Sequence, residues 1–173
     1  MNDRPIFLVG FMGCGKTTVG RLLATELHWD FIDLDEELIK RDGRHIKDIF
    51  EQNGEEFFRG VETAALRDLV RRKRTVIALG GGTFISHENR SLITSAGFSI
   101  FLNASFQTVL SRVKDDRERP LNKSPEQLKK LFDQRLATYK TAELQINVDG
   151  MPPGECVTAI QTAIASLPAA MPD

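Results

Sequence analysis

The sequence predicts an α/β protein in which five parallel strands form one sheet with helices on both of its faces. Two observations predict this class. Short apolar runs of strand length alternate along the chain with longer stretches of helical periodicity. The chain also has 173 residues, a length that corresponds to about one domain at ~150 residues each. We therefore expect residues 1–173 to form a single domain.

The first two elements are a strand and a helix on either side of a glycine-rich turn. Residues 5–9 (PIFLV) form a short apolar run that ends in this turn, as a buried strand does. Over residues 16–27 the apolar side chains recur with helical spacing, and Val19, Leu22 and Leu23 share one face. This pattern predicts an amphipathic helix.

The second and third strands enclose a long helical region. Residues 31–34 (FIDL) and 74–79 (RTVIAL) have the apolar character of short buried strands. Helical periodicity covers the sequence between them in three stretches, residues 35–41, 46–52 and 55–72. The third strand ends at a run of three glycines.

The second half of the chain continues the alternation. Residues 98–102 and 144–148 are the fourth and fifth expected strands. Ser105 is placed to cap one helix, and Ser124 precedes a proline that can start the next. The remaining helices are expected over residues 87–96, 105–114, 125–142 and 154–167.

Two segments are expected to lack fixed structure. Residues 115–124 are polar, charged and interrupted by a proline, which is typical of a mobile loop. The tail, residues 168–173, is expected to fray.

Composition and charge argue against several classes of partner. The 23 Lys and Arg nearly balance the 24 Asp and Glu, and the net charge of −1 predicts no nucleic-acid partner. No apolar run approaches the ~20 residues that span a bilayer, so no membrane partner is expected. The first residues do not resemble a signal peptide, and Cys14 and Cys156 are too few for a disulfide framework. We therefore expect a cytoplasmic protein.

Residues 10–17 (GFMGCGKT), here called the phosphate loop, fit the pattern G-x-x-x-x-G-K-[ST] between a strand and a helix. The glycines let backbone N–H groups turn toward phosphate oxygens, and a helix beginning at Lys16 adds its own unpaired N–H groups. Lys16 supplies positive charge to the β- and γ-phosphates of a nucleotide, and the Thr17 hydroxyl can ligate Mg²⁺. The pattern predicts a nucleotide site but leaves the reaction undefined.

Asp33 and Asp35 end the second expected strand. Ligands bind at the carboxyl ends of strands in α/β sheets, so these acids should lie near the phosphate loop. At strand spacing both carboxylates would point the same way. One could hold Mg²⁺ through water, and the other could accept a hydroxyl proton. Capping of the following helix by aspartate explains the same residue types.

Several other polar residues have a functional and a structural interpretation. Arg59 precedes Glu62 by one helical turn, which suits either an anion-binding arginine or an intrahelical ion pair. Gly80, Gly81 and Gly82, here called the glycine triplet, suggest a backbone that approaches a ligand closely, or an ordinary turn.

The segment around the mobile loop supplies three further candidates. Arg117 and Arg119 lie in the loop, where an arginine could close on a transferring phosphate or remain solvated. Arg135 lies on the next helix and is either a binding or a surface arginine.

Six motifs together carry a family resemblance. In chain order they are GFMGCGKTTVG, FIDLDEELI, FFRGVE, LGGGTF, ERPLN and FDQRLATY. The sequence resembles the shikimate kinase family over nearly its whole length. The resemblance implies a P-loop NTPase fold of the nucleoside-monophosphate-kinase type, with a five-stranded parallel sheet. It also implies a mobile lid at about residues 113–124 and a shikimate-binding region at about residues 33–62.

The resemblance also implies an activity and its residues. On this resemblance the protein is expected to be a monomer that transfers the γ-phosphoryl group of ATP to the 3-hydroxyl of shikimate, on the way to chorismate and aromatic amino acids. Mg²⁺ would be held by Thr17 and, through water, by Asp33. The implied ATP-binding residues are Gly13, Cys14, Gly15, Lys16, Thr17, Thr18, Arg117 and Arg119. The implied shikimate-binding residues are Asp35, Arg59, Gly80, Gly81, Gly82 and Arg135. The implied catalytic residues are Lys16, Asp35 and Arg119, while Glu62 would hold Arg59 in place.

Two other functions stay open from the residues alone. The first is a kinase of another small acceptor, such as gluconate or a nucleoside monophosphate. A nucleotide acceptor calls for aromatic or amide residues around its base, whereas paired arginines suit a carboxylate. The second is a nucleotide-binding regulator or an inactive relative. Against it, the parts that phosphoryl transfer needs are all present: Lys16, Thr17, Asp33, Asp35 and Arg119.

Overall fold

The structure, a computed structural model, describes residues 3–115 and 124–167. Five strands occur in these residues: β1 (Ile6–Val9), β2 (Asp30–Asp33), β3 (Thr75–Ala78), β4 (Phe98–Asn103) and β5 (Leu144–Asn147). They form one sheet in the order β2-β3-β1-β4-β5, and every neighbouring pair is parallel. The predicted five-stranded parallel sheet is confirmed.

Helices cover this sheet. They are α1 (Lys16–Leu27), α2 (Leu34–Asp42), α3 (Ile46–Leu69), α4 (His87–Ala96), α5 (Phe106–Asp115), α6 (Pro125–Tyr139) and α7 (Pro153–Ala165). A short 3₁₀ helix spans Thr83–Ile85. Every residue of β1 and β3 is buried, as expected where helices cover both faces of a parallel sheet.

The candidate functional segments predicted from the sequence lie at the edge of the sheet where the strands have their carboxyl ends. β1 leads into the phosphate loop, β2 ends at Asp33, and β3 leads into the glycine triplet. Because β3 lies between β2 and β1 and all three are parallel, these ends are neighbours at one edge. Ligands bind at this edge in open α/β sheets.

Some predicted boundaries are correct and others are wrong. α1 and α4 have the predicted ends. β2 stops at Asp33 instead of residue 34, because Asp33 caps α2. The two helices predicted over residues 46–72 form one element that ends at Leu69, with a break at Gly54, where φ is 81° and ψ is 173°.

Two further differences lie in the second half of the molecule. The 3₁₀ helix at Thr83–Ile85 was not predicted. α6 ends at Tyr139 instead of residue 142, and the following residues form tight turns through the bonds Thr141 N–H to Thr138 O and Ala142 N–H to Tyr139 O. The predicted lid residues 116–123 and the tail 168–173 lie outside the described residues.

Candidate active site

The phosphate loop needs glycine at three positions. φ is 147° at Gly10, 74° at Gly13 and 103° at Gly15, all in the range that other residues avoid. A side chain at Gly10 would also place its Cβ 2.9 Å from the carbonyl oxygen of Leu102. The spacing of these glycines therefore reflects both the backbone conformation of the loop and its packing against β4.

The phosphate loop and the start of α1 form a positively charged concave surface. No side chain caps the N-terminus of α1, so its first N–H groups and the positive end of its dipole face the loop. The Lys16 Nζ atom lies 2.8 Å from the carbonyl oxygen of Gly10 and 3.0 Å from that of Phe11. Such a surface suits a chain of phosphate groups.

Asp33 connects the phosphate loop to the end of β2. Its Oδ2 accepts a 2.8 Å hydrogen bond from the Thr17 hydroxyl. Its Oδ1 accepts the backbone N–H of Asp35 at 3.0 Å and thereby caps α2. The capping interpretation of Asp33 is thus correct, and the same side chain also reaches the phosphate loop.

Asp35 lies in the first turn of α2, two residues after the last residue of β2. The prediction that both aspartates share one face of a strand is therefore wrong, because β2 ends at Asp33. Both carboxylates nevertheless line the same cleft as the phosphate loop. The helix start, rather than strand spacing, brings the Asp35 carboxylate into the cleft.

Arg59 is held by acidic side chains of its own helix. Its Nη1 lies 2.9 Å from Oε2 of Glu62, which is only 1% exposed, and its Nη2 lies 3.2 Å from Oε1 of Glu55. Burial opposes the charge of Arg59, but the ion pair and hydrogen bonds to Glu62 and Glu55 outweigh it and raise the pKa of Arg59. Arg59 is therefore a permanent cation in a fixed orientation.

The glycine triplet makes room for charged side chains. A Cβ at Gly80 would lie 2.7 Å from Oδ1 of Asp35, and a Cβ at Gly82 would lie 2.5 Å from Nη2 of Arg59. Neither position has a positive φ, so the close approach of these side chains, rather than backbone conformation, favours glycine here. The triplet allows the Asp35 carboxylate and the Arg59 guanidinium to approach the backbone that follows β3.

Two side chains of α6 bind the middle of the triplet. Arg135 Nη1 donates a 3.1 Å hydrogen bond to the Gly81 carbonyl oxygen, and the Tyr139 hydroxyl donates to the same oxygen. Burial raises the pKa of Tyr139 to about 12, although the nearby Arg135 cation lowers it in part. The hydroxyl therefore keeps its proton at neutral pH, and Arg135 is anchored beside the triplet.

A cleft of about 480 Å³ brings most of the predicted residues together. Those on its wall are Gly13, Cys14, Gly15, Lys16, Thr17, Thr18, Asp33, Asp35 and Gly81. Four more adjoin this wall through the contacts given above: Arg59, Gly80, Gly82 and Arg135. Arg117 and Arg119 lie outside the described residues.

Arg112 is a cleft residue that was not predicted from the sequence. This side chain extends from α5, and its Nη1 donates to the carbonyl oxygens of Gly13 and Cys14 at 3.3 Å each. It lines the cleft together with Met151 and Pro153, which precede or begin α7. The available signal was a basic residue in the last turns of the helix before the predicted lid, but only the fold brings it onto the phosphate loop.

Comparison with known proteins decides the family. The family model for shikimate kinase matches residues 12–165. The chain belongs to the shikimate kinase family. A shikimate kinase from Sulfurihydrogenibium sp. is 42% identical over 162 residues, which cover 93% of this chain and 98% of that protein. One from Geobacter sulfurreducens is 44% identical over 166 residues, which cover 94% of this chain and 92% of that protein.

Solved structures of the family share the fold. A shikimate kinase from Acinetobacter baumannii, solved in complex with shikimate, superposes with a TM-score of 0.89 at 35% identity and covers 94% of this chain and 93% of its own. The family match extends from Met12 in the phosphate loop to Ala165 at the end of α7. It therefore includes the residues on both sides of the cleft. Among the described residues, no helix is long and apolar enough to cross a membrane.

Proposed function

We propose that this shikimate kinase family member transfers the γ-phosphoryl group of ATP to the 3-hydroxyl of shikimate, giving shikimate 3-phosphate and ADP in the route to chorismate and aromatic amino acids. The observation that carries this proposal is the acceptor side of the cleft, by which we mean Asp35, Arg59, the glycine triplet and Arg135. Two guanidinium groups meet the triplet there, next to a carboxylate and the phosphate loop.

The phosphate loop holds the nucleotide in this proposal. Residues 13–18 surround the phosphates with backbone N–H groups, and Lys16 neutralises the charge on the β- and γ-phosphates. Arg112, already in contact with the Gly13 and Cys14 carbonyls, borders the nucleotide next to the residues that start α7. Arg117 and Arg119 of the lid would complete the charge around the transferring phosphoryl group.

Mg²⁺ fits beside Thr17 and Asp33. A hydroxyl and a carboxylate oxygen lie 2.8 Å apart at the phosphate loop, and hard oxygen ligands of this kind are those that Mg²⁺ takes together with water and nucleotide phosphates. Thr17 would bind the cation directly, and Asp33 would hold it through water. When bound, Mg²⁺ neutralises part of the phosphate charge.

The acceptor side matches a hydroxylated carboxylic acid. Arg59 and Arg135 grip the carboxylate, since guanidinium groups form paired hydrogen bonds with it. The backbone N–H groups of the triplet bind substrate oxygens. Asp35 binds the ring hydroxyls and accepts the proton of the attacking one. Phosphoryl transfer otherwise needs mainly alignment and charge stabilisation, which Lys16 and the lid arginines supply.

An assay of ADP release tests the proposal against other acceptors. The protein is incubated with ATP, Mg²⁺ and one of three acceptors, namely shikimate, gluconate or AMP, and ADP is measured by a coupled assay. Of the three acceptors, we expect only shikimate to give ADP release above background. Release with AMP or gluconate, and none with shikimate, would overturn the proposal.

A further inference from the structure

A chain of buried polar side chains lies behind the glycine triplet, away from the cleft wall. Glu62, Thr83 and Asn89 are each at most 1% exposed. The Thr83 hydroxyl donates a 2.6 Å hydrogen bond to Oε1 of Glu62, the same carboxylate that pairs with Arg59. The 3₁₀ helix that follows the triplet is therefore joined directly to the arginine pair of α3.

Asn89 of α4 closes this chain into a circuit. Its Nδ2 donates a 3.0 Å hydrogen bond to the Thr83 carbonyl oxygen, and its Oδ1 accepts a 3.0 Å hydrogen bond from the Thr63 hydroxyl. Thr63 follows Glu62 on α3, so the circuit runs from α3 to α4, to the 3₁₀ helix and back to α3. Both polar atoms of the buried amide are used, and each has the correct hydrogen-bonding role.

The neighbouring residue strengthens the same connection. Arg90 Nη1 donates to the carbonyl oxygens of Phe84 and Ile85 at 3.1 and 2.7 Å. Side chains from the start of α4 thus bind three successive carbonyl oxygens of the 3₁₀ helix. Its position relative to α3 is fixed by polar contacts with defined directions, rather than by apolar packing alone.

This connection joins α3, which carries Arg59, to the segment that carries the glycine triplet. The guanidinium group of Arg59 lies directly against the triplet backbone, because a Cβ at Gly82 would fall 2.5 Å from Nη2 and 2.6 Å from Nη1. Movement of the 3₁₀ helix away from α3 would separate the triplet from the guanidinium group. A small displacement can weaken binding strongly when reacting groups must be held in one geometry.

We propose that Asn89 and Thr63 are positioning residues for acceptor binding, acting through Thr83 and Glu62 on Arg59 and Gly82. Among the described residues, those that line the cleft include neither Asn89 nor Thr63. The inference rests on the proposed function, because the ligand whose binding they control is the carboxylate-bearing acceptor. It specifies which substrate they affect: the acceptor and not the nucleotide, since the circuit does not touch the phosphate loop.

Steady-state kinetics of three variants test this role. Thr63→Val removes the hydroxyl that donates to Asn89, and Thr63→Ser keeps it. Asn89→Leu removes both amide contacts at similar volume. The control, Thr75→Val, removes a hydroxyl that bonds the Lys73 carbonyl at the opposite end of β3. We expect the KM for shikimate to rise about threefold in Thr63→Val and about tenfold in Asn89→Leu, with the KM for ATP unchanged.

The remaining measurements separate positioning from stability. Thr63→Ser should restore the wild-type KM for shikimate, and Thr75→Val should lower Tm without changing either KM. If Asn89→Leu does not fold, the Thr63→Val and Thr63→Ser pair decides. A KM for shikimate that stays within about twofold of wild type in Thr63→Val would overturn the positioning role. A wild-type protein that releases no ADP with shikimate would instead remove the proposed function, and the positioning role with it.

Discussion

The two sides of the cleft are built in different ways. The phosphate loop is a contiguous segment whose glycine φ values and adjoining helix N-terminus create the binding surface. The acceptor side comes from α2, α3, the segment after β3, and α6, and its side chains are held by bonds to other side chains and to the triplet backbone. The phosphate loop depends mainly on local backbone geometry, whereas the acceptor side depends mainly on bringing separate elements together.

This difference predicts how the two sides respond to mutation. A substitution in the phosphate loop should affect the nucleotide and all phosphoryl transfer. A substitution on the acceptor side should affect shikimate and leave ATP binding intact. Supporting residues such as Glu62 and Tyr139 belong to the acceptor side, where Glu62 holds the Arg59 side chain and Tyr139 holds the Gly81 backbone.

Asp35→Asn should have the largest effect. It removes the proposed base but keeps the shape of the side chain next to Gly80. We expect kcat to fall by about 10²- to 10⁴-fold, the usual contribution of a general base, while ATP binding measured by calorimetry stays unchanged. Glu36→Gln is the matched control, because Glu36 is the next residue and pairs with exposed Arg21. A kcat within tenfold of wild type would remove Asp35 as the base.

Lys16→Met should act on the other side. The loss of the ammonium group removes charge stabilisation from the β- and γ-phosphates, and we expect kcat/KM to fall by about 10²- to 10³-fold for ATP. Lys47→Met is the control, since Lys47 lies on the surface, 3.7 Å from Glu51. In the absence of nucleotide, calorimetry should show that Lys16→Met binds shikimate with wild-type affinity. Loss of shikimate affinity of the same size would contradict the separation of the two sides.

Arg59→Lys should raise the KM for shikimate by about ten- to a hundredfold, because one ammonium group cannot reproduce a bidentate fork or the paired contacts to Glu62 and Glu55. The KM for ATP should not change. Arg67→Lys, on the same helix and paired with Glu88 at the surface, is the control. An unchanged KM for shikimate would place Arg59 outside the carboxylate site.

Gly82→Ala should produce a smaller shift in the same direction. Its Cβ would lie 2.5 Å from Arg59 Nη2 and would push the guanidinium group aside, so we expect the KM for shikimate to rise about fivefold. Gly60→Ala, in the middle of α3, adds a Cβ that meets no atom within 4 Å beyond the adjoining residues and the helix backbone. It should instead raise the free energy of unfolding by about 0.5–1 kcal/mol. Equal kinetic behaviour of the two variants would refute the steric account of the triplet.

Titration of Tyr139 should have the smallest effect, a loss of stability that is seen only at alkaline pH. Its pKa is about 12 in the fold and about 10 when unfolded. The stability that its burial contributes is complete below pH 10 and is lost as the pH rises to about 12. It is the one tyrosine in the chain, so tyrosinate absorbance reports it alone. Half-titration near pH 10 in the folded protein would contradict its buried hydrogen bond to Gly81.

Most of the fold could be predicted from the sequence, because the signals for its strands and helices are local. α1 begins after a glycine-rich loop and carries one apolar face, and both of its predicted ends are correct. The end of β2 was misplaced because Asp33 serves as strand end and helix cap at once. The 3₁₀ helix at Thr83–Ile85 was missed because it is only three residues long, too short for a periodic pattern, and is held by the Asn89 and Arg90 side chains at the start of α4.

The parts of the candidate site also differ in how far they could be predicted from the sequence. The phosphate loop could be assigned from its spacing, whereas the acceptor side needed the family resemblance to gather its residues. Arg112 was missed because its role depends on α5 crossing the loop. The close contacts of Gly80 and Gly82 could not be predicted from the sequence either, because the side chains that would crowd a Cβ there come from α2 and α3.

The central claim is that charged side chains from separate elements bind the carboxylate of the acceptor. Calorimetric titration of shikimate and of its carboxamide analogue into wild type and Arg59→Lys tests this claim most directly. The account predicts that the analogue binds wild type at least about tenfold more weakly than shikimate does, and that Arg59→Lys reduces this difference. Equal affinity of wild type for the two compounds would contradict it.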